Sequence, residues 1–550
     1  MSELMMPFHI HPMTVKNLKR HACDLCFGRP KPGIVYFCKE CELDLHKACI
    51  VQFLNNPAQC NHHLMVFNSM LDANGNERCH YCQQQLWFIF ASCTICNIWI
   101  DAKCVQQPPA RTIFQPKHHK HSLFLLGRLV TFTCNACGVE GDRNPYICIE
   151  CNLMIHKDCI DLPRVITINR HEHRISHTFH LGQREGIWEC GVCRKPIDWV
   201  YGAFKCFRCP SSYAVHSKCA TRKEVWDGIE LEDVPEEDEE IEDPFKVINE
   251  KDIIHFSHEE HVLRLDENYV LDNDVMRCGG CVLPINDNPC YKCVECDFSL
   301  HKTCASLPRK KNHFLHNHKL ILRARKDDVY VDKCGACETY SNGFRYECHQ
   351  KNGCKGNIKY DVRCSSITEP FHHDLHPHPI YWTLGDTKQC KACGTDILKP
   401  LSCMVCEYAL CIRCATLPKK VKHRCDDHFL SLCHDSGKSS GDLWCDICET
   451  KTDPRVCYYT CDECGVSLHI NCVLGDLYYT KIGLVYPSLE VLPNIDVTRP
   501  FCNNCKIRCK SNFLMKNTLG DFVRYFCSIG CIPKRRPLLN RLSMTDEKRE

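Results

Sequence analysis

The sequence predicts a string of small α+β modules in tandem, made mostly of short strands and loops and stapled by metal instead of a large core. Three observations carry that expectation. The stretch Cys293-Val-Glu-Cys-Asp-Phe-Ser-Leu-His-Lys-Thr-Cys304 reads C-x2-C-x4-H-x2-C, and the same spacing recurs at Cys38 to Cys49, Cys148 to Cys159 and Cys461 to Cys472. The 550 residues include 51 Cys and 32 His, and a cysteine share of about 9% marks a chain cross-linked by metal or disulfides. The last Cys of this text, or of an altered copy, falls at 49, 104, 159, 219, 304, 364, 414 and 472. Steps of about 50 to 60 residues, with one of about 85, describe a tandem array whose units are each too small for a self-sufficient core.

The spacing dictates the chemistry. Two thiols three positions apart turn back on one ion, and a His and a Cys three apart reach an ion from one helical turn. Sulfur and imidazole nitrogen at these spacings suit tetrahedral zinc, Zn2+. Disulfides are disfavoured, because the thiols come as C-x2-C pairs with His at fixed offsets and the total is odd. The opening Met-Ser-Glu-Leu-Met-Met-Pro lacks a basic start followed by an apolar run, so no secretory signal is expected. The most apolar run, Leu86 to Ile100, contains Cys93 and Cys96 and is too short to span a bilayer, so it reads as a core strand or helix. The formal net charge of +2 counts thiols as neutral. Thiolates on zinc bring the metallated chain to roughly −5 to −10, which argues against nucleic acid as a partner.

Each module has the same parts in order. An opening His precedes an alternating, strand-like stretch: His11, His63, His121, His173, His261, His318, His378 and His428. The first thiol pair follows, at Cys23/Cys26, Cys79/Cys82, Cys134/Cys137, Cys190/Cys193, Cys278/Cys281, Cys334/Cys337, Cys390/Cys393 and Cys445/Cys448. After a hairpin comes the second pair: Cys38/Cys41, Cys93/Cys96, Cys148/Cys151, Cys206/Cys209, Cys293/Cys296, Cys348/Cys354, Cys403/Cys406 and Cys461/Cys464. The helical H-x2-C element follows as His46/Cys49, His156/Cys159, His216/Cys219, His301/Cys304 and His469/Cys472, with Asp101/Cys104, Asp361/Cys364 and Cys411/Cys414 as departures. A carboxylate can ligate zinc, so the Asp positions are candidates too. Cys60, His171, His258, His313, His373 and His423 are candidate closing ligands.

These parts divide the chain into repeats at 9–61, 62–118, 119–171 and 172–221, an acidic linker at 222–252, and repeats at 253–315, 316–373, 374–424 and 425–475. The C-terminal segment, 476–550, offers one further four-Cys site from Cys502, Cys505, Cys527 and Cys531, and Lys534-Arg-Arg536 is a candidate nuclear address. Closing and opening ligands adjoin, as in Cys60/His63, His171/His173 and His258/His261. Adjacent zinc sites then predict two semi-rigid rods of four repeats, with freedom in the Glu236–Glu240 region.

The order H, C-x2-C, C-x2-C-x4-H-x2-C, H resembles the divergent phorbol-ester/diacylglycerol-type zinc fingers of the plant cysteine/histidine-rich protein family, as does the text Cys-Ala-Ser-Leu-Pro at 304–308 and Cys-Ala-Thr-Leu-Pro at 414–418. The resemblance implies treble-clef-like modules with two interleaved zinc sites, about two ions per repeat. In repeat three these are Cys134, Cys137, His156 and Cys159, then Cys148, Cys151, His121 and His171. It also implies a non-enzymatic interaction scaffold in intracellular signalling or stress response, cytoplasmic or nuclear, with protein partners. The interval 138–147 lacks the Gln-Gly pair of diacylglycerol binders, which disfavours membrane lipid. A plant-homeodomain-like chromatin reader would claim each pair twice, and a ubiquitin-ligase ring orders its ligands differently. Four protein ligands per zinc make a structural site, and no H-E-x-x-H motif supplies a zinc-bound base.

Overall fold

A computed structural model describes residues 3–533 except 5–10, 22, 25–30, 41, 56–58, 61–62, 70–77, 83, 87–88, 128–129, 142–143, 211, 237–241, 268–275, 287–288, 325–330, 349–353, 355–357, 386, 435–442, 454, 487–488, 496–497 and 520–521. The side chains of Cys26, Cys41, Cys60 and His63, and all of 534–536, lie outside the described residues.

Each repeat is a small antiparallel sheet followed by a short helix, nine residues in the first repeat and four or five in the others. In the third, strands Thr112–Ile113, Leu123–Leu125, Tyr146–Cys148 and Leu153–Ile155 pair in that order, with helix Lys157–Ile160 behind them. The two-stranded ribbon Phe132–Thr133/Glu140–Gly141 brackets the first thiol pair, Cys134/Cys137. The Leu86 to Ile100 run resolves into paired strands Ile89–Cys93 and Ile98–Asp101. Among the described residues no helix is long and apolar enough to cross a membrane.

The cores are a few side chains deep. Leu123, Tyr146, Ile155, Ile160 and Leu162 pack with four buried cysteines in the third repeat. One buried tyrosine recurs two residues before the second thiol pair. Tyr146 donates its hydroxyl to the Ala110 carbonyl, Tyr346 to Pro308 and Tyr459 to Pro418, each at 2.7 Å. A buried phenol needs such a partner, and here the bond ties the chain entering a repeat to its central hairpin.

The chain divides into two compact units. One comprises 1–165, 176–188 and 196–218; the other comprises 166–175, 189–195 and 219–550. The division falls within repeat four, and Glu237 to Glu240 of the acidic segment lie outside the described residues. Within the second unit, the described part of the acidic segment is engaged. Arg174 donates to the carbonyls of Val234 (2.6 Å) and Pro235 (2.9 Å), and Phe245–Val247 forms the edge strand of the fifth repeat's sheet. In the same unit Asn169 donates to the Phe314 and His316 carbonyls, and Arg170 pairs with Glu369 in a buried ion pair. Backbone carbonyls and one carboxylate, none of them visible as a motif, fasten these segments.

Neighbouring repeats join pairwise through one recurring backbone bond. The residue four before the second thiol pair donates its N–H into the first C-x2-C knuckle of the preceding repeat. Gly202 donates to Asn135 (2.7 Å), Phe344 to Gly280 (2.8 Å) and Cys457 to Ala392 (2.9 Å). Repeats three and four, five and six, and seven and eight are thus fastened alike.

Candidate metal centres

The first site forms where the C-x2-C knuckle meets the start of the short helix. In repeat three, Cys134, Cys137, His156 and Cys159 converge, with His156 Nδ1 3.5 Å from Cys137 Sγ and 3.8 Å from Cys159 Sγ. In repeat five His301 Nδ1 lies 3.3 Å from Cys281 Sγ and 3.9 Å from Cys304 Sγ. Bonds of about 2.0 to 2.3 Å from a tetrahedral zinc put ligand atoms about 3.3 to 3.8 Å apart, so these separations are the edges of such a cage. The backbone also supports it: the N–H of His46, His156, His301 and His469 points at the first thiol of its own site, at 3.2 to 3.5 Å. Repeats one and eight follow the same plan through Cys49, Cys448 and Cys472.

The departures keep the geometry. Asp101 and Asp361 are N-caps of their helices, and one carboxylate oxygen accepts from the N–H of Cys104 (2.8 Å) or Cys364 (2.9 Å). Their other oxygen faces the thiols, 2.7 Å from Cys82 and 3.2 Å from Cys337. Capping therefore aims the carboxylate into the cage. In repeat seven Cys411 takes the position, 3.8 Å from Cys390, completing four thiols with Cys393 and Cys414.

Contacts with Cys137 and Cys159 hold the Cys134 thiol well below its ordinary range. Cys134 and Cys137 in turn push His156 up to about 9. A bound metal needs neutral imidazole, so loading this site releases a proton.

The second sites correct the expected ligand set. In repeat three His119 joins His121, Cys148 and Cys151, and all four ligand atoms lie within 4.8 Å of one another. His258 and His261 meet Cys293 and Cys296 in one site, not two adjoining ones. His316 and His318 meet Cys348 and Cys354, with His318 Nδ1 3.0 Å from Cys354 Sγ, so the widened pair still converges. His376 lies 3.5 Å from Cys406, its ring 5.3 Å from that of His378. The rings of His171 and His173 stand 5.4 Å apart in the same manner. His119, His316 and His376 are thus ligand candidates that sequence reasoning missed, although an H-x-H spacing marks each.

His313, His373 and His423 do not close the preceding repeats. His313 pairs in register with His316 across a tight strand connection, which carries it into the next repeat's sheet. Its ring bonds the Ile367 carbonyl at 2.9 Å, and burial, then Lys311, pushes it down to about 3. His373 contacts the Tyr408 hydroxyl, and His423 is buried beside Cys425. His171 likewise opens its own repeat, ahead of His173.

A second missed residue is the Glu of Cys-x-Glu-Cys. Glu40, Glu150, Glu295 and Glu463 lie 3.0, 3.2, 3.4 and 3.1 Å from Nε2 of His11, His121, His261 and His428. A carboxylate on the far nitrogen fixes tautomer and ring orientation for metal on the near one.

In the C-terminal segment Cys527 Sγ lies 3.6 Å from Cys505 and 3.5 Å from Cys531. Burial acts against ionisation of Cys502, yet backbone N–H groups and Cys505 bring it down to about 6, which makes four convergent thiols. The described cysteines are free thiols.

The family model of the C1 domain matches residues 116–160, 169–220, 256–305 and 423–473, and that of the C-terminal C1-like domain matches 489–532. No curated protein and no solved structure matches the chain. The donor set of thiolates, imidazoles and capping carboxylates fits zinc.

Proposed function

We propose that this chain, which belongs to the C1-type cysteine/histidine-rich zinc-finger proteins and carries their domains in tandem, is a non-enzymatic scaffold that docks protein partners in intracellular signalling or stress response, in the cytoplasm or nucleus. The observation that carries the reading is closure. Each first site with all its side chains described has four protein ligands, so its metal has no position open to water or substrate. The zinc thus holds shape, at about two ions per repeat and roughly 14 to 17 in all.

The shape presents a repeated surface. The second knuckle carries an exposed apolar side chain in five repeats: Ile95, Ile149, Phe207, Val294 and Val405, each at least 59% exposed. One such residue is unremarkable, but an apolar side chain on each of five knuckles, after the first Cys in three and before the second in two, repeats the same kind of contact along the chain, and linked contacts raise effective concentration for a multivalent partner. The test is affinity purification from the source tissue with wild type and with Ile149→Asp/Val294→Asp/Val405→Asp. Partners should be lost with the zinc count unchanged. Retention of every partner, or capture by diacylglycerol-containing vesicles in place of protein, would overturn it.

A further inference from the structure

We propose that Asp426 is a metal ligand, completing the second site of the eighth repeat as a two-thiolate, one-imidazole, one-carboxylate zinc centre with His428, Cys461 and Cys464. The inference rests on the zinc-scaffold reading and adds a residue that the ligand pattern of the chain does not mark.

Position is the first support. In repeats three, four, six and seven the opening ligands or their candidates are two histidines with one residue between: His119/His121, His171/His173, His316/His318 and His376/His378. The eighth repeat reads Asp426-Asp-His428, so a carboxylate stands where the first imidazole stands elsewhere. Distance is the second. Asp426 Oδ1 lies 3.3 Å from Cys464 Sγ and 3.2 Å from His428 Nδ1, and that nitrogen lies 3.2 Å from Cys464 Sγ. These are the edges expected of a cage around one zinc. Glu463 sits on His428 Nε2 as Glu150 sits on His121, which leaves Nδ1 for the metal.

The third support is burial. The Asp426 side chain is 1% exposed, and its Oδ2 has no hydrogen-bond partner. A buried carboxylate with an oxygen left without a partner is costly, and a dication among these four groups offsets its charge. The backbone N–H of His428 holds the other oxygen at 2.9 Å and so fixes the carboxylate's orientation.

Thiol alkylation mapped by mass spectrometry tests this on the full chain, reduced and zinc-replete, with iodoacetamide as probe. Cys464 is exposed, so bound metal is what would protect it. In wild type, Cys461 and Cys464 should resist alkylation. Asp426→Asn preserves volume and the bond from His428, and it should release Cys464 to alkylation while Cys445, Cys448 and Cys472 of the neighbouring site stay protected. Asp426→His should restore protection, and Asp427→Ala should change nothing. Protection of Cys464 in Asp426→Asn equal to wild type would overturn the assignment, as would a reactive Cys464 in wild type beside protected Cys445 and Cys448. If every thiol reacts in the wild-type protein, the zinc reading itself fails.

Discussion

The guanidinium of Arg363 lies 3.3 Å from the ring centroid of Tyr479. It also donates to Asp361 Oδ2 at 2.8 Å and to Thr339 Oγ1 at 3.0 Å. One buried cation therefore joins a carboxylate ligand of repeat six to the segment that follows the last helix of repeat eight. Three thiolates and a carboxylate around zinc carry net charge −2, and Arg363 halves it. Arg363→Ala should destabilise the second unit by about 3 to 5 kcal/mol, the cost of leaving a buried charge unpaired. Arg363→Lys should recover little, because a compact ammonium cannot both stack and fork. Denaturant unfolding followed at the tyrosines is the measurement, and a loss under about 1 kcal/mol would contradict it.

The recurring knuckle bond leaves no room beside it. A Cβ on Gly343 would stand 2.2 Å from the Gly280 carbonyl oxygen, and one on Gly202 would stand 2.6 Å from that of Ala136. The Phe344 bond to the same carbonyl holds the backbones in place. Gly343→Ala and Gly202→Ala should each cost about 1 to 3 kcal/mol through overpacking. Gly33→Ala, whose Cβ meets nothing within 4 Å, is the control. Hydrogen exchange should show faster opening confined to repeats five and six or to three and four.

Glu150 and Glu295 should matter to metal retention without touching metal. Glu150→Gln weakens the hold on His121, and Glu295→Gln that on His261. Each should lower zinc affinity at its own second site by about tenfold, the low end of such effects because the carboxylates are exposed. Competition with a chromogenic chelator, with alkylation of Cys151 or Cys296 as the local readout, measures it. First-site thiols should be unaffected.

Local ligand chemistry was legible because spacing encodes it. Cys134, Cys137, His156 and Cys159 converge through one knuckle and one helical turn, both set within a few residues. The partition of the histidines was not legible. His258 and His261 look like the end of one repeat and the start of the next, and only the strand register brings them into one ligand cluster. The joins between repeats rest on the carbonyls of Asn135, Gly280 and Ala392. Every residue carries a carbonyl, so no residue type marks them. The capping aspartates lie between these cases: Asp101 and Asp361 stood out by position, but Asp426 looks like an ordinary turn residue until its burial is known.

The buried histidines that are not ligands make stability depend on pH. Burial holds His313 at about 3, and His255 and His423 at about 4. The unfolded chain takes up these protons near pH 6.5. Between that value and the folded one the unfolded state binds more protons, so acid favours unfolding. The contribution is complete above about pH 6.5, and it is lost as pH falls toward 3 to 4, at about 1.4 kcal/mol per pH unit for each histidine. Stability should therefore decline from pH 7 to pH 5 while zinc remains bound, which elemental analysis at each pH verifies. His313→Gln should be less stable than wild type at pH 7.5, because the bond to the Ile367 carbonyl changes. Its decline should be shallower by about one proton's worth. An unchanged slope in His313→Gln, with zinc retained throughout, would mean that His313 is not held neutral in the folded protein.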